Sequence, residues 1–409
     1  MMSVREKVFE YIDSERDRLV KSTVRFIKTP SPSGSEGDVA KVLAEELKTA
    51  KLDVQVDPVG NVIGALRGKG GAGRRRTLAF NVHLDHVPAG APESWKHGPF
   101  KGTVEDGKIY GRGAADTKGA WAPMILAMEA VKACGGVNSD VLFTAVIMEE
   151  LTYSIGMRVL LASTLKDTPP DYIVSGEATS LNVAVGHRGR TELELTTKGR
   201  SCHASAPWRG ENAIYKAAPV ISSIEALSKE LEAEEVHPLL GKSSTALTDI
   251  LCSPGAHNVV PEMCRMWVDY RFLPNETLET ISRRIKTKLS AAKADENVKV
   301  VEAEERTYTG VRFKGQKHMP AFTIDAGHPL VKTVSVAAGT VLSNPPKIQR
   351  WDFATDGGYS MGVLGIPTVG FSPCEENLTH APNEYVRIDY MVKAAKVYAE
   401  IIMRLCGSD

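Results

Sequence analysis

The sequence predicts an α/β protein, a mostly parallel sheet flanked by helices, into which a smaller α+β domain is inserted. Three observations carry that expectation. Apolar runs at 77–82, 140–148 and 171–175 alternate with helical stretches at 119–134 and 155–165, as in a parallel sheet covered on both faces. From about Arg188 the texture changes to alternating apolar and charged residues, as in Glu192-Leu-Glu-Leu195, which suits a strand with one wet face. Near Gly310 the first texture returns. At 409 residues the chain also exceeds what one core usually holds, so two domains are expected.

Taken in order, the first 50 residues predict two helices. Val8, Ile12, Leu19 and Val24 give the first an apolar side, and Thr29-Pro-Ser-Pro-Ser-Gly34 ends it. Ser35 with Asp38 three residues on resembles a capping box for the second. Residues 54–57 and 61–66 read as a hairpin. Gly68, Gly70 and Gly73 spell a G-x-G-x-x-G, but a dinucleotide site needs a helix to start there. Arg74-Arg-Arg76 and a strand follow instead, so the tract reads as a hairpin turn. Gly241-Lys-Ser243 lacks the upstream glycine of a phosphate-binding loop. The inserted part predicts a strand at 191–197, a helix at 213–234, strands at 246–251 and 265–272, a helix at 278–292 and a strand at 298–301. That order places helices on one face of an antiparallel sheet. A strand at 366–371 and a closing helix at 389–406 complete the chain. The expected division is 1–187, 188–307 and 308–409, the middle segment being the insertion.

Composition narrows the function. Lys+Arg and Asp+Glu both number 50, so net charge favours neither nucleic acid nor an anionic membrane as partner. No apolar run approaches the roughly 18 residues of a membrane helix, and residues 1–18 are too charged for a signal peptide. Six scattered cysteines (134, 202, 252, 264, 374, 406) form no C-x-x-C pair and read as free thiols. The expectation is a cytoplasmic enzyme.

The chemistry gathers at strand ends. His83, the pair Glu149-Glu150, and Glu177 lie just past the carboxyl ends of three predicted strands, the edge at which open α/β sheets bind ligands. His83 and Asp85 are two apart and point the same way. A carboxylate accepting the imidazole's other N–H would fix its tautomer toward a metal, although an isolated His-x-Asp is more often a surface pair. Asp116, just before a helix, reads by itself as a helix cap. Glu149-Glu150 is harder to explain structurally, because adjacent carboxylates at a buried strand end repel unless a cation compensates. With His380 far downstream, two imidazoles and several carboxylates make the nitrogen/oxygen set that zinc prefers. More than four candidate ligands suggest two ions.

In order, His83-Leu-Asp-His-Val-Pro88, Gly111-Arg-Gly-Ala-Ala-Asp-Thr-Lys-Gly119, Glu149-Glu150, Gly176-Glu-Ala-Thr179, Thr355-Asp-Gly357 and His380-Ala-Pro-Asn-Glu384 resemble the zinc amidohydrolase and peptidase family. That family holds aminoacylase, acetylornithine deacetylase, succinyl-diaminopimelate desuccinylase and glutamate carboxypeptidase. Gly199-Arg-Ser-Cys-His-Ala-Ser-Ala-Pro207, Gly210-Glu-Asn-Ala-Ile214, Asn258-Val-Val-Pro261 and Asp269-Tyr-Arg271 are similar to its lid and dimerisation domain. The nearest likeness is to the acetylornithine-deacetylase-like branch, including hydrolases linked to selenium-dependent purine catabolism. The resemblance implies that Asp116 bridges two zinc ions, for which cobalt or manganese can substitute. His83 and Glu177 would complete one site, Glu150 and His380 the other. Glu149 would be the catalytic base, and Asp85 the partner of His83. Glu rather than Asp at 177 resembles the deacylases. His203, which by spacing alone reads as a surface residue, would reach across a homodimer interface to the neighbouring active site. Departures fall in cleft loops: Leu151-Thr-Tyr-Ser-Ile before Gly156, Ser372-Pro-Cys374 for Gly-Pro-Gly, and Gly176-Glu-Ala for Gly-Glu-Pro.

The leading expectation is a dinuclear zinc hydrolase acting on an N-acyl amino acid or related amine. A dipeptidase or carboxypeptidase is the rival, and a non-catalytic metal-binding scaffold the remote one. A free substrate carboxylate calls for an Arg, whose fork is bidentate. Arg271 and Arg188 are the candidates, with Asn258 as a neutral donor, although Arg271 reads equally as a partner of Asp269 at the sheet edge.

Overall fold

The computed structural model describes residues 2–70, 76–151, 153–291 and 297–407. Its large sheet has eight strands, in the order Asp53–Val56, Val62–Leu66, Val141–Val146, Leu78–His83, Tyr172–Ser175, Thr368–Gly370, Val183–Ala184, Ile348–Gln349. The four central strands, from Val141–Val146 to Thr368–Gly370, run parallel, and the Asp53–Leu66 hairpin lies antiparallel at one edge. Leu78–His83 and Val141–Val146 are buried at every position because helices cover both faces. Successive residues of one strand therefore feed different cores. Leu78, Phe80 and Val82 join the main core with helices Gly119–Ala133 and Ile388–Cys406, while Ala79 packs against Met157, Leu160 and Leu161 on the other face.

The amino-terminal region differs from expectation. It holds three helices, Val4–Ser14, Arg16–Ile27 and Gly37–Thr49, the first two separated at Glu15. Val8, Ile12 and Leu19 are buried on either side of that break, so an apolar stripe does not reveal it. The capping box forms at Ser3 and Glu6 rather than at Ser35 and Asp38. Helix Gly37–Thr49 has Glu36 at its N-cap with no side-chain cap bond, and Asp38 pairs outward with Lys41. Of the glycine-rich tract, residues 71–75, including Gly73 and Arg74, lie outside the described residues. Helix Pro329–Val341 was not expected; it starts with Pro at its first turn, and His328 accepts the Leu330 amide at 3.1 Å.

The smaller sheet is antiparallel, in the order Ser244–Ser253, Met263–Phe272, Gly189–Lys198, Asn297–Val300, with His318–Met319 also pairing to Gly189–Lys198. Helices Ala213–Ala233 and Leu278–Ala291 cover one face, burying Val220, Ile224 and Ile285 against Leu193, Leu195, Met266 and Val268. The predicted alternation is present, with Leu193 and Leu195 buried and Glu192 and Glu194 half-buried. All six cysteines are free.

The chain does not pass once between the two sheets. Gly186–His187 leaves paired to the returning Phe322–Thr323. Between Asn297–Val300 and His318–Met319, a hairpin (Glu302–Arg306 with Arg312–Gln316) packs Tyr308 and Phe313 on the main core. The Tyr308 hydroxyl donates to Gly60 O at 2.8 Å. Gly60 sits at φ +109°, and a Cβ there would lie 2.3 Å from the Tyr308 ring. Among the described residues, no helix is long and apolar enough to cross a membrane.

Candidate metal centre

The parallel strands deliver their carboxyl ends to one cleft. His83 closes Leu78–His83, with Nε2 2.9 Å from Asp116 Oδ1 and 3.8 Å from Glu177 Oε1. Asp116 Oδ2 lies 3.1 Å from His380 Nε2, which is also 3.1 Å from Glu150 Oε2. One carboxylate thus stands between two imidazoles, an oxygen toward each. His83, Glu149 and Glu177 place ligand atoms within 4.8 Å of one another, as do His83, Asp116 and Glu150.

The electrostatics fit divalent cations. Burial lifts the carboxyls of Glu149 and Glu177 well above the usual range, with Glu177 adding to the lift at Glu149. Glu150 is raised by burial and by Asp116. Hydrogen bonds to Asp116 and Glu150 raise His380 to about 10. Burial depresses His83, but Glu177 and Asp116 outweigh it and lift the imidazole well above 6.5. Glu150 Oε1 is buried with no hydrogen-bond partner among the described residues. Crowded carboxylates, two imidazoles and an orphaned carboxylate oxygen suit a pair of zinc-like ions.

Other side chains hold these groups in place. His83 Nδ1 lies 3.0 Å from the backbone oxygen of Asp85 and 3.5 Å from its Oδ1. The same Asp85 carboxylate accepts the Glu149 amide at 3.1 Å, the Glu150 amide at 3.2 Å and the Ser33 hydroxyl at 2.7 Å. It therefore fixes both an imidazole and the turn bearing the doubled glutamate. Glu384 accepts Arg112 Nη1 at 3.0 Å and the amides of Gly113 and Ala115, while Arg112 Nη2 donates to His380 O at 3.3 Å. This ion pair joins the Asp116 loop to the His380 loop. Both residues lie inside recognisable motifs, but their partnership spans 272 positions. Asp356, also missed, is buried nearby with Oδ1 unpartnered among the described residues; burial pushes it up to about 6.

The cleft encloses about 320 Å³. Asp116, Glu149, Glu150, Glu177 and His380 line it together with Arg190 and Arg271 from the smaller sheet. Arg271 Nε donates to Asp269 Oδ1 at 2.6 Å and Arg190 Nε to Asp269 Oδ2 at 2.7 Å. Arg271 therefore both pairs with Asp269 and faces the cleft. Arg190 was not anticipated, although it is only two positions from Arg188. Arg188 itself is no part of the lining, because its guanidinium donates to Lys242 O at 3.0 Å and Ser244 Oγ at 3.2 Å. His203 and Asn258 are also absent from it. They are exposed on a small ribbon, where His203 pairs with Val259 and Ala204 N donates to Asn258 O at 2.9 Å. Nearby, His187 is buried and depressed to about 4 by burial, and its Nε2 accepts the Thr355 amide at 3.1 Å.

The profile of peptidase family M20/M25/M40 matches residues 79–404. The uncharacterized protein YgeY of Escherichia coli K12 is 31% identical over 398 residues, covering 97% of this chain and 95% of that one. The N-formyl-4-amino-5-aminomethyl-2-methylpyrimidine deformylase of Bacillus subtilis is 25% identical over 427 residues, covering 99% and 97%. Among solved structures, the M20 metallo-carboxypeptidase Sso-CP2 of Sulfolobus solfataricus superposes with a TM-score of 0.74 at 18% identity, over 94% of this chain and 98% of that one. The Bacillus subtilis YXEP protein, a dinuclear metal binding peptidase of the M20 family, does so at 0.70 and 15%, over 96% and 99%. The chain belongs to peptidase family M20/M25/M40 and is a metal-dependent hydrolase acting on amide bonds.

Proposed function

We propose that this enzyme is a two-zinc amidohydrolase that removes the acyl group from an N-acyl amino acid or a related small amine. One observation carries the reading. Asp116 offers one carboxylate oxygen to each of two imidazoles, and the cleft they line also holds Glu149 and Arg271. His83, Asp116 and Glu177 would hold one ion, and Asp116, Glu150 and His380 the other. When bound, such a pair supplies Lewis acidity and water of lowered pKa. Glu149 takes the proton of the attacking water and hands it to the leaving nitrogen. Burial raises the proton affinity of its carboxylate, which suits a group that must take up a proton and then pass it on. Asp85 keeps His83 in register through Nδ1. Arg271 receives the free carboxylate of the amino-acid portion, its fork already aimed by Asp269. Similarity to a deformylase supports cleavage of a small acyl group.

The smaller sheet, about 188–307, acts in this reading as lid and dimerisation domain of a cytoplasmic homodimer. Strand Ser244–Ser253 is an open edge of that sheet, with Ile250 and Leu251 42% and 61% exposed, a surface suited to pairing with a second copy. His203 and Asn258, outside the cleft of their own chain, would serve the neighbouring one, where His203 donates to the developing oxyanion. Carboxypeptidase action is the second reading, supported by the fold shared with Sso-CP2. The test is hydrolysis of a panel of N-acyl amino acids, N-formyl amines and dipeptides with zinc, cobalt or manganese. Turnover of the acylated substrates is expected; turnover of dipeptides alone establishes the second reading, and no turnover of any amide refutes both.

A further inference from the structure

Four successive backbone amides lead into the doubled glutamate, and each is held by a buried side chain. Ile147 N donates to Asn61 Oδ1 at 3.0 Å, Met148 N to Glu36 Oε1 at 3.2 Å, Glu149 N to Asp85 Oδ1 at 3.1 Å and Glu150 N to Asp85 Oδ2 at 3.2 Å. The grip has something to resist: Met148 sits at φ +54°, a left-handed conformation that a methionine rarely adopts unless its surroundings enforce it. Asn61 is fully engaged elsewhere, its amide nitrogen donating to Asp57 Oδ2 at 2.8 Å and Gly156 O at 2.9 Å. Glu36 is fully buried and also accepts the Gly34 amide at 3.0 Å on Oε1, whereas its Oε2 has no partner among the described residues. A carboxylate kept out of water with one oxygen unpaired is costly to the fold. Helix capping does not account for it, since Glu36 occupies the N-cap without making a cap bond. Of its hydrogen bonds, the one from the Met148 amide leads directly to the next two residues, which line the cleft.

We propose that Glu36 is a positioning residue of the active site, holding Met148 in its left-handed turn so that Glu149 and Glu150 both face the metal cleft. The inference rests on the roles proposed above for those two glutamates. Glu36 never touches substrate. Losing it lets the turn relax, which swings the base away from its water and withdraws the Glu150 oxygen from its ion. Supporting groups of this kind typically change metal affinity or activity by roughly 10–100-fold.

The experiment compares the full chain with Glu36→Ala and Glu36→Gln, using calorimetric titration of zinc into metal-free protein and steady-state kinetics on the best substrate of the panel. Glu36→Ala is expected to bind zinc ~10–100-fold more weakly and to lose a similar factor in kcat with KM little changed. Glu36→Gln, whose amide oxygen still accepts the Met148 and Gly34 amides, should recover most of both. Should Ala not fold, Glu36→Asp keeps the charge but withdraws the oxygen by one methylene, and the same losses are expected. A variant that melts earlier yet binds zinc and turns over as the parent does, once folded, overturns the proposal. If the parent hydrolyses nothing while Glu36→Ala still weakens zinc, the hydrolase reading falls and the positioning of Glu150 stands.

Discussion

Glu149 and Glu150 are chemically identical neighbours with different partners, Glu150 meeting His380 at 3.1 Å and Glu149 grouping with His83 and Glu177, which makes the roles proposed for them separable by substitution. Glu149→Gln should retain the full metal complement, measured by elemental analysis, yet lose roughly 10²–10⁴-fold in kcat. Unchanged turnover would place the base elsewhere. Asp116→Ala, by contrast, should lose both ions, because each imidazole meets a different oxygen of that one carboxylate. At the opposite wall, Arg271→Lys is expected to lower kcat/KM for free-acid substrates while sparing their amides or esters, since Lys cannot present a fork. Equal loss on both would mean that Arg271 only supports Asp269. That His83, Asp116, Glu149, Glu150 and Glu177 would gather in one cleft was legible in the sequence because they follow apolar strands or a glycine-rich turn, and position along a strand fixes position in the cleft. Arg112, Glu384, Arg190 and Glu36 were not legible as parts of the site. Their meaning lies in partners 272, 79 or 112 positions away, and local patterns carry no such information. Arg188, read from the sequence as a candidate for the substrate carboxylate, has its guanidinium on Lys242 O and Ser244 Oγ here, partners 54 and 56 positions away that local pattern does not reveal.

At the scale of elements, the alternating strands and helices were readable from apolar runs and their spacing, and the antiparallel character of the smaller sheet from the order of its strands and helices. What period does not register is a one-residue interruption such as Glu15, or a short strand such as Val183–Ala184 whose pairing comes from distant Ile348–Gln349. Two elements make firm predictions. Replacing Leu251 on the open edge strand by Glu adds a charge where a second copy would pair, and size-exclusion chromatography should show a monomer that keeps its zinc. A dimer that persists would move the interface elsewhere. Gly60→Ala combines a positive φ with a Cβ buried in the Tyr308 ring. It should destabilise the fold by about 1–3 kcal/mol, seen as a drop of several degrees in Tm. Tyr308→Ala in the same background should relieve the clash, so that the second substitution costs less than it does alone.

For the whole molecule, the charge buried in the cleft sets how stability responds to metal and to pH. Glu36 and Glu384 are raised to about 7 and about 8 by burial, and His380 to about 10 by its carboxylate partners. A group whose folded pKa is raised binds more protons folded than unfolded, so its contribution is lost as pH climbs through the folded value. His86, His187 and His318, depressed to about 4 by burial, act oppositely but only below about 6.5, and Lys118, lowered to about 7 by burial, opposes only above that. The metal-free protein should therefore lose stability as pH rises from about 6 to about 8. Zinc at 100 times its Kd adds about 2.7 kcal/mol and should flatten that slope, as melting curves at several pH values will show. A metal-free Tm that rises over this interval would contradict the assignment. The double passage between the sheets bears on motion as well. The smaller sheet is moored by the paired strands Gly186–His187 and Phe322–Thr323 and, separately, by the Tyr308 foot on Gly60. Further contacts, such as Arg350 Nη1 donating to Leu239 O at 3.2 Å, tie the same region to the larger part of the chain, so any movement of the smaller sheet must carry or break several attachments. If the smaller sheet closes over the cleft as proposed above, it would have to swing on these attachments as a hatch does, and Arg271 would meet a substrate from the side of the cleft it already lines.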